Sequence, residues 1–454
     1  MSSPSDTAEH LPDGLQIARA LDLSNLKRTV GLYLFLLVYE FSSLFMLASL
    51  LSTRFGYTHI SYAPERFNTY FWVCILTPLA VLPAGTRLQT PAQFMFPVLA
   101  ALIMMTTPLF LVAELGPSEF WSIYACLMMT MAILAGASRW EIKGLLQPLS
   151  ELNYKRALWL LIAFFAALLV VGAKQNFHFV SFFDIYKERN SADYASDFIV
   201  RVTCMYVFSL GGLLAGVAIL RRRYWLAALA LMGFVFWYGV SQFKSAILGP
   251  PWLLYMYLSV RYFVGKSTIR FYVILTLPFF VGVALKLLFP DVNGFGDNFM
   301  VFAYFAFVSF RFYATSNEAV GIYQDFFSTH PHTYWSHITG INWFVHYPYA
   351  DQQISQVLDD QYNLGNFNAS FLATDTIAAY GYQVMPLVSL AMAAVYVFLN
   401  SAGRNIRGSV LAMMMVMPAL MFNERAFMTS LLTGAIIFFF FYLAWMPESW
   451  RDPQ

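Results

Sequence analysis

The chain has 454 residues, of which 59% are hydrophobic, 18% aromatic and only 11% charged, with a formal net charge of +2. A soluble protein carries about 25% charged residues, so this chain could not cover itself with polar side chains in water, and it reads as a polytopic membrane protein. The same figures exclude a disordered chain, a disulfide scaffold and a typical nucleic-acid binder. Cys74, Cys126 and Cys204 all lie inside apolar runs and show no metal spacing.

Residues 1–30 are polar and lack the signal-peptide layout of charge, short apolar core and small-residue cleavage site, so they are expected to form a cytosolic tail. A span needs about 20 mostly apolar residues. Runs near 31–51, 67–84, 95–113, 118–137, 157–173, 199–220, 224–243, 246–263, 270–289, 378–399, 409–422 and 429–446 meet that need, about twelve in all. The expected fold is all-α. A transmembrane bundle covers 31–289 and is interrupted by a loop at 174–198. A large loop follows at 290–377, then closing helices over 378–446 and a tail at 447–454. Within the large loop, 299–314 is apolar enough to re-enter the membrane or lie along it. No internal repeat stands out, which disfavours transporters built from repeated halves.

Lys and Arg in short loops set the orientation. With the N-terminus inside, seventeen fall on the cytosolic side and nine on the other, and the run Arg221, Arg222, Arg223 fixes the assignment best. Both long loops are then extracytoplasmic.

No phosphate-binding glycine loop, nucleotide fingerprint or zinc-protease motif occurs, so any chemistry uses a substrate already in or beyond the membrane, without a cofactor. Between Lys286 and Arg404 the only basic side chain is Arg311, amid eight acids. An Arg flanked by aromatics is costly near lipid unless it faces a cavity or a partner. It either pairs with one of those acids or clamps a phosphate through its planar fork. In the earlier loop Asp184, Tyr186, Lys187 and Arg189 form either a solvated cluster or a head-group site held at the membrane surface. Lys244 and Lys286 either snorkel to the interface or join the same anion site. Glu424 and Arg425 read as an internal salt bridge. His330, His332, His337 and His346 crowd into seventeen residues. His337 is a candidate general base for a sugar hydroxyl, against an ordinary loop histidine, and no carboxylate spacing completes a metal site. Trp335 and Trp343 suit a sugar-stacking surface or an interfacial belt. Asn366, Asn368, Ser370, Thr374 and Asp375 precede the next apolar run and either cap a helix or line a cavity. Gly381 marks a possible helix break.

The run FFDIYKER at 182–189, the long late loop, and the stretch from Asn366 through SFLATDTIAAYGY resemble the Wzy-class O-antigen polymerases of Gram-negative bacteria. The resemblance covers most of the chain in layout and only short stretches in residues. Gly321, ten residues beyond Arg311, approaches that family's arginine-then-glycine pattern, whereas no such glycine follows Arg189. The resemblance implies a GT-C-like glycosyltransferase of the inner membrane with its site facing the periplasm. Such an enzyme moves a growing glycan from undecaprenyl diphosphate to a new lipid-linked repeat unit. Its expected partners are the lipid-linked donor and acceptor, membrane lipids and a chain-length regulator protein, with no nucleic acid. His337 and Asp184 are the catalytic candidates. Arg311, Arg189, Lys187, Lys244, Lys286, Tyr186, Asn366 and Asn368 are the candidates for holding diphosphate and substrate. An O-antigen ligase and an exporter of lipid-linked sugar are the alternatives.

The orientation is directly testable. A reporter fused after residue 190 or 340 is expected to be active in the periplasm, and one after 223 or 405 only in the cytosol. Exchanged activities at 190 and 223 would refute the charge-based assignment.

Overall fold

A computed structural model describes residues 13–142, 144, 147–181, 196–292, 294–338, 340–350, 352–364 and 369–451. These residues are helical, with a single isolated strand-like bridge between Arg87 and Ser267. Among the described residues nine helices are long and apolar enough to cross a membrane: α1 Ser24–Arg54, α2 Pro64–Ala84, α3 Ala92–Glu114, α4 Pro117–Ala137, α5 Glu151–Gln175, α6 Phe198–Leu220, α7 Tyr224–Ser241, α9 Thr268–Leu288 and α13 Tyr382–Ala402. Helix α8, Lys244–Ser259, lies between α7 and α9. A bent pair, α10 Phe299–Phe310 and α11 Thr315–Thr329, turns by 52° at Arg311 and supplies a tenth crossing if it is one broken span. Helix α12, Ile354–Tyr362, is short and amphipathic.

Every one of the nine overlaps a run expected from the sequence. The other three runs are helical in a different way. Residues 246–263 form α8, which carries Pro250 and Pro251 and ends in a π-helical turn at Val260–Val264. Residues 409–422 become α14, Gly408–Glu424, only 17 residues long and buried along almost its whole length. Residues 429–446 divide into α15 Phe427–Leu432 and α16 Ile436–Ala444, separated at Gly434 and a left-handed Ala435. Gly434 has no room for a Cβ, because Met421 and the Ser430 carbonyl fill that space.

Helix α3 is the buried centre of the bundle, whereas α5 leaves most of its apolar surface outward. Hydrocarbon offers no water to an unpaired backbone group, and buried amides close the gaps at helix ends. Asn400 near the end of α13 accepts from Ala92 N at 2.8 Å and donates to Ser138 O at 2.9 Å and Trp140 O at 2.8 Å. One side chain thus joins the start of α3 to the end of α4. Asn317 in α11 accepts from Thr106 Oγ1 and Thr107 Oγ1 at 2.9 and 2.8 Å and donates to Leu102 O at 3.0 Å, tying α11 to the middle of α3.

The connections sort by charge. Arg87, Arg139, Arg261, Lys266, Arg404, Arg407 and Arg451 gather at one end of the bundle. There Leu88 N bonds Lys266 O, Arg404 lies 3.9 Å from Glu141, and Arg451 donates to Arg404 O. The opposite end carries residues 55–66, the end of α3 and segments between 290 and 381.

Asn400→Ala should leave Ala92 N–H without its acceptor and Trp140 O without its donor, while Ser138 O keeps the Thr90 hydroxyl. At about 1–3 kcal/mol for an orphaned buried group, the detergent-purified variant should melt several degrees below the parent. Asn400→Asp, which keeps the acceptor for Ala92 N, should lose less. An unchanged melting temperature for the Ala variant would refute this role.

Candidate functional site

The site lies where the loop after α11 docks on the helical segment that precedes α13. Residues Leu372–Ile377 form a π-helical turn continued by Ala378–Tyr380, and Gly381 at φ +95° ends it, the break expected at that glycine. A helix end leaves carbonyls without partners, and the loop supplies donors. Thr333 N bonds Ala378 O at 2.7 Å and Tyr334 N bonds Ala379 O at 3.1 Å. Trp335 Nε1 bonds Asp375 O at 2.8 Å, and His332 Nδ1 lies 3.1 Å from Ile377 O. Docking forces Tyr334 and Trp335 into left-handed conformations at φ 49° and 59°. Such a backbone costs of order 1–3 kcal/mol per residue for a non-glycine, and strain of this kind clusters at functional sites.

This clamp delivers His337 to Asp375. The Asp375 carboxylate is 2% exposed, and its Oδ2 accepts from Phe427 N at the start of α15. His337 Nε2 stands 3.9 Å from Asp375 Oδ1, beyond hydrogen-bond reach, and has no other partner. His337 Nδ1 is 3.1 Å from Thr333 Oγ1. The same hydroxyl lies 3.2 Å from Ala378 O, a carbonyl that already accepts from Thr333 N at 2.7 Å. Tyr323 of α11 is buried against the other side, in a side-chain hydrogen bond with Thr374. Aromatic rings pack the surroundings: Tyr380 lies 5.0 Å from Tyr334 and 4.8 Å from Trp335, and His330 stacks on Phe326 at 4.0 Å. Trp335 is thereby committed to packing, while Trp343 is 78% exposed.

Arg311 is exposed at the bend between α10 and α11, directly after a second π-helical turn, Phe305–Phe310. Turns of this kind are frequent at functional sites. Among the described residues Arg311 has no ion-pair partner within 4.0 Å. Asp351, one of the eight acids, lies outside the described residues. Glu424 and Arg425 do not form the expected salt bridge. Helix α14 ends between them, Arg425 is extended at φ −144°, and its guanidinium lies 5.8 Å from the Phe243 ring centroid. The segment 423–427 links the two halves of the site: Asn423 Nδ2 bonds Ser316 Oγ near Arg311, and Phe427 N bonds Asp375.

The other candidates fall elsewhere. Lys286 is buried and donates to Pro290 O at 2.6 Å, closing the end of its own helix. Lys244 starts α8 half-buried. Asp184, Tyr186, Lys187, Arg189, Asn366 and Asn368 lie outside the described residues. Among the described residues no group of three or more His, Cys, Asp or Glu is arranged to hold a metal ion.

Sequence reasoning passed over the partnership of Asp375 with His337. It also missed the acids Glu114 and Glu318. Glu318 is buried with Oε1 unpartnered, and Glu114 at the end of α3 likewise has an unpartnered Oε1. The Glu114 carboxylate occupies the space where a side chain on Gly321 would start. Close by, Gln324 donates to Glu119 at 2.8 Å and Tyr362 donates to Asp325 at 2.6 Å. Burial, and after it the bond to Asp325, raise the Tyr362 phenol above its ordinary range. Burial also holds Tyr349 up to about 12, so it stays a donor to Pro331 O at 2.5 Å. No protein-family model, curated protein or solved structure matches the chain.

Gly321→Ala should displace the Glu114 carboxylate from its slot and lower the melting temperature, while Glu114→Ala in that background should recover part of the loss. Two losses that simply add would show that Gly321 and Glu114 do not share this space.

Proposed function

We propose that the chain is a glycosyltransferase acting on lipid-diphosphate-linked oligosaccharides, and that it polymerises repeat units of O-antigen or a related surface polysaccharide at the periplasmic face of the bacterial inner membrane. The observation that carries this reading is His337. Its Nε2 has no hydrogen-bond partner among the described residues and faces the buried Asp375 carboxylate. Arg311, an exposed guanidinium with no acid within 4.0 Å among the described residues, lies at the same end of the bundle.

The chemistry such an arrangement can perform is a glycosyl transfer. The acceptor hydroxyl oxygen forms a bond to the anomeric carbon of the donor. The bond from that carbon to the diphosphate oxygen breaks, and the carrier diphosphate leaves with the electron pair. The hydroxyl proton passes to His337 Nε2, and the resulting imidazolium lies opposite the Asp375 carboxylate. Arg311 holds the departing diphosphate with two parallel hydrogen bonds. The donor is already activated, which accords with the missing nucleotide motif. The 3.9 Å between His337 and Asp375 is compatible with this role, because catalytic hydrogen bonds often tighten only when substrate is bound.

The test is incubation of the purified protein with a synthetic lipid-linked repeat unit. A ladder of products is expected; transfer of one preformed chain to a lipid A-core acceptor would indicate the ligase instead. Arg311→Ala should insert and melt normally yet lower the rate by about 10²–10³-fold, as a lost charge stabiliser does. Arg311→Lys should recover only part, since an ammonium cannot make the two-pronged contact. His337→Ala should cost about 10²–10⁴-fold. Normal ladders from both Ala variants would end this assignment.

A further inference from the structure

The cationic end of the bundle, opposite His337, contains a cavity of about 330 Å³. It forms where the α2–α3 connection, the α8–α9 connection and the start of α14 meet. Leu88 N to Lys266 O at 2.9 Å and Thr268 N to Thr86 O at 3.2 Å hold the first two together. Gly265, at φ +58° and ψ −123°, makes the turn that presents Lys266.

The lining is built for an anion. Arg261, Lys266 and Arg407 all border the cavity, and none of the described residues that line it is acidic. The floor is the N-terminus of α14, a helix of 17 residues with no side-chain cap. Its first backbone bonds run from Val410 N and Leu411 N to Arg407 O, both at 3.0 Å, so Gly408 N–H and Ser409 N–H find no acceptor among the described residues. A helix N-terminus with free N–H groups favours negative charge. The independent sign is Ser409. Ser409 borders the cavity, is 4% exposed, and its buried Oγ has no hydrogen-bond partner among the described residues. A buried hydroxyl without a partner costs free energy, and an anion in the cavity would accept from it. Next to Arg261 in sequence, Tyr262 and Phe263 are 66% and 67% exposed, an aromatic pair of the kind that sits at a membrane–water interface. The cavity volume lies at the lower end of the range for small-ligand sites, about 300–1,000 Å³.

We infer that this cavity binds a phosphate-bearing anion, presented by the head group of an anionic phospholipid or as free phosphate. Its cations, helix N-terminus and unpartnered hydroxyl each supply donors to phosphate oxygens. The inference is independent of the glycosyl-transfer reading, which concerns the other end of the bundle.

The full-length protein, purified in neutral detergent, would be titrated with phosphatidylglycerol and phosphatidylcholine and the bound lipid counted by native mass spectrometry. Inorganic phosphate would be added as competitor. Phosphatidylglycerol is expected to bind at least about tenfold more tightly than phosphatidylcholine, the scale of a few charge-assisted hydrogen bonds. Competition by inorganic phosphate would show that the free anion is also taken; selectivity without competition would assign the site to the lipid head group. Ser409→Ala should weaken phosphatidylglycerol about tenfold without lowering the melting temperature. Lys266→Gln, at an exposed side chain, should reduce the selectivity as well. Arg156→Gln, basic but outside the cavity, should leave it unchanged. Equal binding of the two lipids together with no effect of phosphate would overturn the inference. So would undiminished selectivity in the folded Ser409 and Lys266 variants.

Discussion

Nothing in hydrocarbon can bond a stray backbone N–H or C=O, and that constraint governs where this chain places its few polar side chains. Arg66 reaches from the start of α2 to Val112 O and Leu115 O, at 2.6 and 2.5 Å, and takes up carbonyls at the end of α3. Asn400 does the same work for two helix ends at once, and Lys286 for the end of α9. Hydroxyls inside the spans turn back on their own helices, as Thr203 does to Ile199 O and Thr276 to Tyr272 O. Such side chains conceal backbone polarity and leave the apolar surfaces free to pack.

The region around His337 departs from this economy. Two adjacent aromatic residues take left-handed backbone conformations, His337 Nε2 and one oxygen each of Glu114 and Glu318 lack partners, and Arg311 stands exposed with no acid within 4.0 Å among the described residues. Buried polar groups in folded proteins are overwhelmingly hydrogen-bonded. Unmet capacity also occurs elsewhere in the bundle, at both Glu40 oxygens and at the Ser409 hydroxyl. What sets the His337 region apart is that it combines unmet capacity with backbone strain and an exposed cation. On the proposed reading, a sugar would bring hydroxyls of both kinds and a diphosphate oxygens for Arg311.

Much of this could be read before the fold was known, because a membrane helix writes itself as an apolar run. Nine long helices coincide with nine such runs, and the helix break at Gly381 follows from a conformation that only glycine adopts readily. The runs that became something else share a cause. Residues 429–446 are apolar throughout, and hydropathy says nothing about the space Met421 takes up beside Gly434. Residues 299–329 bend at Arg311, where the pattern showed only an interruption. The site was half visible: His337 and Arg311 stood out by their isolation in composition. Asp375 did not, since it lies 38 residues beyond His337 in a segment that read as a helix start. Only the docking of two loops brings the carboxylate to the imidazole. The adjacent charges of Glu424 and Arg425 misled for the opposite reason, because neighbours in sequence are parted where a helix ends between them.

The loop that docks on residues 372–380 serves structure and chemistry through the same bonds. Ala378 O ends a helix and accepts from Thr333 N at 2.7 Å, with the Thr333 hydroxyl 3.2 Å away. That hydroxyl also lies 3.1 Å from His337 Nδ1, so the residue that closes the helix end also holds the imidazole where Nε2 faces Asp375. The same clamp carries the strained Tyr334 and Trp335, whose cost is offset by the bonds their backbone and indole make to Ala379 and Asp375. Loosening the clamp would release strain, but it would also free the helix end, the imidazole and the separation between His337 and Asp375 together. The strain is therefore held in place by the bonds that set the site.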